Sequence, residues 1–187
     1  MTFMEKQAPQ HMQYIIASFG VEDLSGAELS RLIRLISTGY ETIFKVRMKD
    51  EGLSGPRWRI LLHLFMAEET GASGVSPTEL ARARNVSKNT VSTLLRSLEE
   101  QGLITRAIAP HDRRSFIIQL TEKGRELVRE RSPQHLVFLN ELASDLTPEE
   151  REALMALLRK LYQSLIHHGG LPESYRCQEE SVQAQEV

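Results

Sequence analysis

Two short helix signatures follow each other closely in the middle of the chain, and they constrain its fold more than any other feature. Residues 76–79 (Ser-Pro-Thr-Glu) form a capping-box pattern with proline at the first helical position, which predicts a helix that ends near Asn85. Ser87 is a second N-cap, and its helix runs to about Gln101, where Gly102 stops it. The sequence therefore predicts two short helices joined by about three residues.

A β-hairpin is predicted directly after this pair. The stretches 103–108 and 116–120 are rich in Ile, Leu and Phe, and the charged segment 109–115 between them is turn-like. Longer amphipathic helices are predicted over 28–50, 54–67, 121–144 and 148–168, from apolar side chains at the 3.6-residue period. The order of elements is that of a winged helix-turn-helix, in which the second helix of the pair enters the DNA major groove. The predicted fold class is mainly α with a small β-hairpin wing (α+β).

The second helix of the pair has a polar face that suits a DNA groove. Its apolar residues, Val91, Leu94, Leu95 and Leu98, share one face at 100° per residue, so the polar residues lie on the other. Arginine can bond guanine bidentately, and asparagine can bond adenine. The alternative is an ordinary solvated helix surface. The DNA-binding candidates on this helix are Ser87, Lys88, Asn89, Thr90, Ser92, Thr93 and Arg96.

The local charge supports this interpretation. The whole chain has a formal net charge of −2, which by itself does not indicate a nucleic-acid partner. Between Arg82 and Arg114, however, seven basic residues stand against three acidic ones. The positive charge is therefore concentrated in the predicted helix pair and hairpin.

The stretch from 76 to 124 resembles the DNA-binding core of the MarR family of bacterial transcription regulators. Its sequence is SPTELARARNVSKNTVSTLLRSLEEQGLITRAIAPHDRRSFIIQLTEKG. The most specific parts are residues 112–115 (Asp-Arg-Arg-Ser) and 120–124 (Leu-Thr-Glu-Lys-Gly), which match the family's wing and its return into the next helix. With the outer helices, the resemblance covers about residues 28–168. It implies a sequence-specific regulator of transcription, most commonly a repressor, that binds double-stranded DNA at a palindromic operator as a homodimer.

The residue pattern and the resemblance together predict a division of the chain. An N-terminal arm occupies 1–27, a dimerisation helix 28–52, the winged helix-turn-helix domain 53–120, C-terminal dimerisation helices 121–168 and a mobile acidic tail 169–187. Apolar stripes from Leu29 to Phe44 and from Leu154 to Leu165 offer more apolar surface than a small DNA-binding core requires. A twofold dimer would bury them, and the alternative is a bundle within one chain.

Wing residues are also implied by the resemblance. In the family pattern, a wing aspartate holds a wing arginine, and the wing reaches the adjacent minor groove. Carried over, Asp112 orients Arg114, and Arg113 or Arg114 enters a narrow groove that favours arginine. Arg106, on the strand that leads into the wing, contacts a phosphate or is only a surface cation. The alternative for the whole tip is an ordinary charged turn.

Members of the family commonly bind a small aromatic or phenolic anion and then release DNA. The candidates for such an effector pocket here are Tyr40, Arg47, Arg59 and His63, among apolar neighbours of the first two long helices. No cofactor and no metal are expected, because the six histidines form no i, i+4 ligand pair. The lone Cys177 lies in the predicted tail and has no cysteine to pair with.

Other classes of protein are less well supported. The sequence has no nucleophile elbow, phosphate-binding glycine loop or metalloprotease motif, so we expect no enzyme. A winged-helix module that binds protein without specific DNA binding is the alternative function, although protein interfaces favour an aromatic core over this polar face. No signal peptide and no apolar stretch near 18 residues are present, which predicts a cytoplasmic protein outside the membrane.

Overall fold

The computed structural model describes residues 18–20, 23–109 and 112–170, with the backbone alone for residues 112–114. The described residues form two compact units, which divide between residues 55 and 56. The first contains α1 (Ser25–Arg47). The helix α2 (Gly55–Glu69) begins at the last residue of the first unit and continues into the second. The other elements of the second unit are α3 (Pro77–Arg84), α4 (Lys88–Glu100), β1 (Ile104–Ala109), β2 (Asp112–Leu120), α5 (Glu122–Leu142) and α6 (Pro148–His168). The predicted α+β class with a hairpin wing is confirmed.

Local capping explains why α3 and α4 begin where the sequence predicts. The Ser76 hydroxyl accepts from the backbone N–H of Glu79 at 3.2 Å, and the Glu79 carboxylate accepts from the backbone N–H of Ser76 at 2.8 Å. Asn85 then adopts a left-handed conformation with φ of 53°, which ends α3. The Ser87 hydroxyl accepts from the backbone N–H of Thr90 at 3.1 Å and starts α4. Both predicted helix starts are confirmed.

The first unit differs from prediction at the ends of its long helix. The helix α1 covers Ser25–Arg47 rather than 28–50, because the Asp23 carboxylate accepts from the backbone N–H of Ser25 at 2.8 Å and extends the helix start. After α1, Gly52 has a φ of +62° and its N–H donates to the carbonyl of Lys49 at 3.0 Å, so the chain turns earlier than predicted. Phe44 is buried in this unit.

The hairpin has a longer second strand than the sequence indicated. The strands β1 and β2 are antiparallel, and their paired residues run from Ile104 with Leu120 to Ile108 with Phe116. The register then shifts, so that Ala109 pairs with Asp112. The predicted turn over 109–115 is therefore wrong, since only residues 110 and 111 separate the strands and these lie outside the described residues. Ladder hydrogen bonds use the backbone, so a charged sequence can continue a strand.

The connection between α2 and α3 joins the sheet. Val75 forms a bridge with Ile118, with N–H to carbonyl distances of 3.0 and 2.8 Å. Gly74 precedes it with a φ of +147°, and a Cβ there would lie 2.9 Å from the carbonyl oxygen of Ile118. Only glycine permits this close approach without strain. The bridge attaches the start of α3 to β2.

The core of the second unit orients α4. Its apolar face is buried and α4 contacts α3 and β1, which places the opposite face of α4 outward. The fully buried side chains are Trp58, Ile60, Leu61, Leu64, Leu80, Val91, Leu95, Leu98, Ile118 and Val128. Among the described residues, no helix is both long and apolar enough to cross a membrane.

Candidate nucleic-acid interface

The exposed face of α4 carries every residue that the sequence suggested for it. Val91, Leu95 and Leu98 are at most 1% exposed. The polar candidates, by contrast, are all exposed: Ser87, Lys88, Asn89, Thr90, Ser92, Thr93 and Arg96. The structure thus brings them together on one side of a single, anchored helix.

Local hydrogen bonds occupy some of these side chains. The hydroxyls of Ser87 and Thr90 lie 2.9 Å apart, and Ser87 also caps α4. The Thr93 hydroxyl donates to the carbonyl of Asn89 at 3.1 Å, which leaves its oxygen free to accept a hydrogen bond. In the part of the chain that the structure describes, Lys88, Asn89, Ser92 and Arg96 make no side-chain hydrogen bond. These last side chains have their polar groups available for a ligand.

Arg106 on β1 has two partners that the sequence did not indicate. Its Nε lies 3.0 Å from a carboxylate oxygen of Glu99 at the end of α4. Its guanidinium also lies over the ring of Phe116, 5.1 Å from the centroid. Arg106 pairs with Ile118 in the ladder, so Phe116 is its diagonal neighbour, and knowledge of the strand register would have predicted this contact. The hairpin thus holds a cation beside the exposed face of α4.

The wing candidates Asp112, Arg113 and Arg114 belong to β2. Their side chains lie outside the described residues, so the predicted contact between Asp112 and Arg114 stays a prediction.

Comparison with known proteins supplies a family for this arrangement. The family model described as "MarR family" matches residues 51–115. The transcriptional repressor MprA of Escherichia coli K12 is 31% identical over 134 residues, which cover 72% of this chain and 76% of that protein. The chain belongs to the MarR family. Members of this family are regulators of transcription that bind DNA and have no enzymatic activity, and the present chain is accordingly not an enzyme.

Two further relatives are similar over a comparable length. The transcriptional repressor YetL of Bacillus subtilis is 29% identical over 143 residues, 76% of this chain and 84% of that protein. A crystal structure of MepR from Staphylococcus aureus in complex with DNA has a TM-score of 0.67 at 29% identity, covering 73% of this chain and 97% of that one. The winged-helix architecture is thus shared with a relative whose structure contains DNA.

The effector candidates of this MarR-family chain lie on α1 and α2. Tyr40 is half-buried and Arg47 is exposed, both on α1 in the first unit. Arg59 and His63 are half-buried on α2 in the second unit. Burial lowers the pKa of His63, the nearby charge of Arg84 lowers it further, and the Glu79 carboxylate acts in the opposite direction.

Arg84, at the end of α3, is a residue that the sequence did not single out. It is half-buried, and both this burial and the charge of Arg59 lower its pKa. Arg84 follows the buried Leu80 by four residues, and residues at i and i+4 share one face of a helix. This spacing could have predicted from the sequence that Arg84 is partly buried.

The outer helices of the MarR-family chain leave large apolar side chains exposed. Ile36 on α1 is 70% exposed, and Leu157 on α6 is 65% exposed. The other exposed apolar residues on α1, α5 and α6 are Leu29, Leu32, Ile33, Leu35, Ile43, Val46, Leu136, Val137, Leu142, Leu154, Met155, Leu158 and Leu165. Such surface on several helices is unusual for a monomer.

Proposed function

We propose that this chain is a sequence-specific transcription repressor that binds a palindromic operator as a homodimer and releases it when a small-molecule effector binds. The observation that carries the proposal is the exposed polar face of α4, with Asn89, Ser92 and Arg96 available for base contacts. The repressors MprA and YetL among its relatives support the direction of regulation. We infer a cytoplasmic location from the same family membership.

Each side chain on the face of α4 has a distinct role in this proposal. Arg96 donates two hydrogen bonds to guanine, and the Asn89 amide bonds the edge of adenine. Thr93 presents a methyl group that suits thymine, because its hydroxyl is turned to the backbone. Arg106 and the wing residues Asp112, Arg113 and Arg114 add contacts to the phosphate backbone and the minor groove.

A homodimer accounts for the exposed apolar side chains of the outer helices. Two copies related by a twofold axis bury identical patches against each other. Such a dimer presents two copies of α4 about 34 Å apart, which is one turn of DNA, and this spacing requires inverted half-sites.

The effector proposal rests on Tyr40, Arg47, Arg59 and His63. These side chains combine an aromatic ring with cationic or protonatable groups, which suits an aromatic or phenolic anion. The structure describes Arg59 and His63 as half-buried neighbours on one face of α2, four residues apart.

Selection of preferred sites from random duplex DNA with the purified chain tests the proposal. We expect enrichment of a palindrome whose half-sites lie about one turn apart. The best site should then bind less tightly as salt rises, with a steep slope in log affinity against log salt. A folded, dimeric protein that enriches no sequence would contradict the proposal and favour the protein-interaction module, whose apolar contacts depend weakly on salt.

A further inference from the structure

A group of polar contacts joins the end of α2 to the start of α5, and Glu68 lies at its centre. The Nε atom of Arg125 lies 3.0 Å from one carboxylate oxygen of Glu68, and a terminal nitrogen of the same guanidinium lies 3.4 Å from the other oxygen. That second oxygen also accepts the backbone N–H of Leu120, the last residue of β2, at 3.3 Å. One carboxylate thus connects α2, β2 and α5.

Neighbouring contacts reinforce the pair of Glu68 and Arg125. One turn further along α5, the guanidinium of Arg129 lies over the ring of Phe65, 5.8 Å from the centroid. Phe65 precedes Glu68 by three residues, so both partners lie on the same side of α2. Arg125 also forms an ion pair with Glu122 on its own helix. The side chains of Arg125 and Glu68 are only 25% and 23% exposed, so solvent screens their attraction less than that of a surface pair.

The same end of α5 is bonded to the end of α4. The Thr121 hydroxyl donates to the carbonyl of Gly102 at 2.7 Å, and the Thr121 backbone N–H donates to the carbonyl of Leu103 at 3.1 Å. The Lys123 ammonium donates to the carbonyl of Gln101 at 2.9 Å. The start of α5 is therefore held by residues that end α4 and, through Arg125, by α2. These two sets of contacts fix the direction of α5 relative to α4.

We propose that Glu68 and Arg125 are positioning residues, which fix the angle between α4 and α5 and thereby set the half-site spacing that the dimer accepts. This inference rests on the proposed function, in which exposed apolar side chains of α5 such as Leu136 and Val137 lie between two copies. The direction of α5 then determines how far apart the two copies of α4 lie. One added base pair moves a half-site by about 3.4 Å and turns it by about 34°, so spacing is sensitive to this angle.

Two variants remove the pair with opposite changes in charge. Arg125→Met keeps the aliphatic stem of the side chain but removes a positive charge. Glu68→Gln removes a negative charge and keeps an oxygen that can accept the backbone N–H of Leu120. Long-range attraction to DNA should therefore change in opposite directions in the two variants. An effect that both share must come from the lost contact between α2 and α5.

The first measurement is affinity for duplexes that carry the selected half-sites as inverted repeats, with the spacer changed one base pair at a time. The wild type should discriminate about tenfold against a spacer altered by one base pair, because binding then requires deformation of the DNA. Both variants should reduce this ratio to about threefold or less, with the same half-site sequence still preferred. Glu122→Gln is the matched control, since it removes only the ion pair within α5, and it should keep the wild-type ratio.

A second measurement needs no DNA. A nitroxide label is placed at the exposed end of α4 by Glu100→Cys, in a Cys177→Ser background that has no other cysteine. Electron paramagnetic resonance then gives the distribution of distances between the two labels of the dimer. We expect a single narrow distribution for the wild type and for Glu122→Gln. Both Arg125→Met and Glu68→Gln should broaden or displace it.

Circular dichroism and the melting temperature show whether each variant is folded. If Arg125→Met does not fold, the milder Glu68→Gln decides the question. Wild-type spacing discrimination in folded variants, or an unchanged distance distribution, would overturn the positioning role. Loss of the half-site preference itself would also overturn it, because that result would assign the damage to α4. Failure of the wild type to select any DNA would instead contradict the proposed function, and the label distances would still test the contact between α2 and α5.

Discussion

The Nε atom of Arg106 lies 3.0 Å from a carboxylate oxygen of Glu99, and this ion pair connects the first strand of the hairpin to the last turn of α4. Both side chains are 40% exposed. An exposed pair of this kind stabilises a protein by about 0.2–1 kcal/mol, which is weaker than a well-placed contact of arginine with phosphate. If Arg106 contacts a DNA phosphate as proposed, Glu99 would compete with that phosphate for the same guanidinium.

Replacement of Glu99 by glutamine tests this competition. Glu99→Gln keeps the shape of the side chain but removes its charge, so we expect DNA to bind more tightly, by up to about fivefold at low salt. The measurement is a titration of the selected site. Glu100→Gln removes the neighbouring exposed charge and should have a smaller effect. Weaker binding by Glu99→Gln would show that the pair positions Arg106 for DNA instead.

Arg96→Ala should relax sequence preference. Loss of a bidentate contact to guanine costs about 1–3 kcal/mol at the selected site and little on unrelated DNA. Arg114→Ala provides the contrast, because a wing contact to the backbone or groove should weaken both kinds of DNA more evenly. Affinities are compared on the selected site and on a scrambled duplex. Equal affinity of Arg96→Ala and wild type for the selected site would contradict the assigned role of α4.

Leu157→Glu should separate the proposed dimer into monomers. Leu157 is exposed on α6, so a charge there is tolerated by an isolated protomer, whereas within an apolar interface it would be buried without a partner. Analytical ultracentrifugation gives the mass, and circular dichroism checks that the helices persist. Ala156→Glu adds the same charge at an exposed position outside the apolar stripe that runs from Leu154 to Leu165. Position 156 lies about 200° around the helix axis from Leu154, the first residue of that stripe. This variant should remain dimeric, and dissociation of both variants would contradict this interface.

Gly124→Ala should destabilise the winged domain. A Cβ at Gly124 would lie 2.1 Å from the carbonyl oxygen of Leu103, which accepts the backbone N–H of Thr121 at 3.1 Å. The cost of such overpacking is about 1–3 kcal/mol or more, measured by urea unfolding. Gly26→Ala is the control, because no atom lies within 4 Å of a Cβ there and the change should be within about 0.5 kcal/mol. Equal stability of the two variants would refute the close approach.

His63 should make folding stability depend on pH just below its ordinary pKa of 6.5. Burial, and then the charge of Arg84, lower the pKa of His63 in the folded state. Below pH 6.5 the unfolded chain binds more protons than the folded chain, so stability falls as the pH decreases towards the folded-state pKa. The capping hydrogen bonds lower the pKa of Glu79 from 4.5, so its contribution is lost at lower pH.

The test is the free energy of unfolding between pH 5 and 8, measured with urea. His63→Gln should flatten the decline below pH 6.5. His167→Gln, an exposed position in the last turn of α6, should leave it unchanged. If the free energy of unfolding of His63→Gln falls below pH 6.5 as steeply as that of the wild type, another group causes the decline.

Local chemistry made much of this fold predictable. A capping box joins Ser76 to Glu79 and an N-cap joins Ser87 to Thr90, each over three residues, so both helix starts could be predicted from short patterns. The period of the apolar residues likewise determined which face of α4 is buried. The family resemblance followed from a contiguous stretch that includes these helices and the wing.

Only the tertiary structure decided the contacts between elements. The sequence placed Arg106 on the wing strand, but its pairing with Glu99 and Phe116 depends on how the hairpin folds back on α4 and on strand register. Arg84 looks like an ordinary surface cation in the sequence, yet it is half-buried in the structure, and its burial and the charge of Arg59 lower its pKa. Capping and periodicity are properties of neighbours along the chain. Burial and long-range pairing depend instead on which helices and strands pack together, and a local pattern of residues does not contain that information.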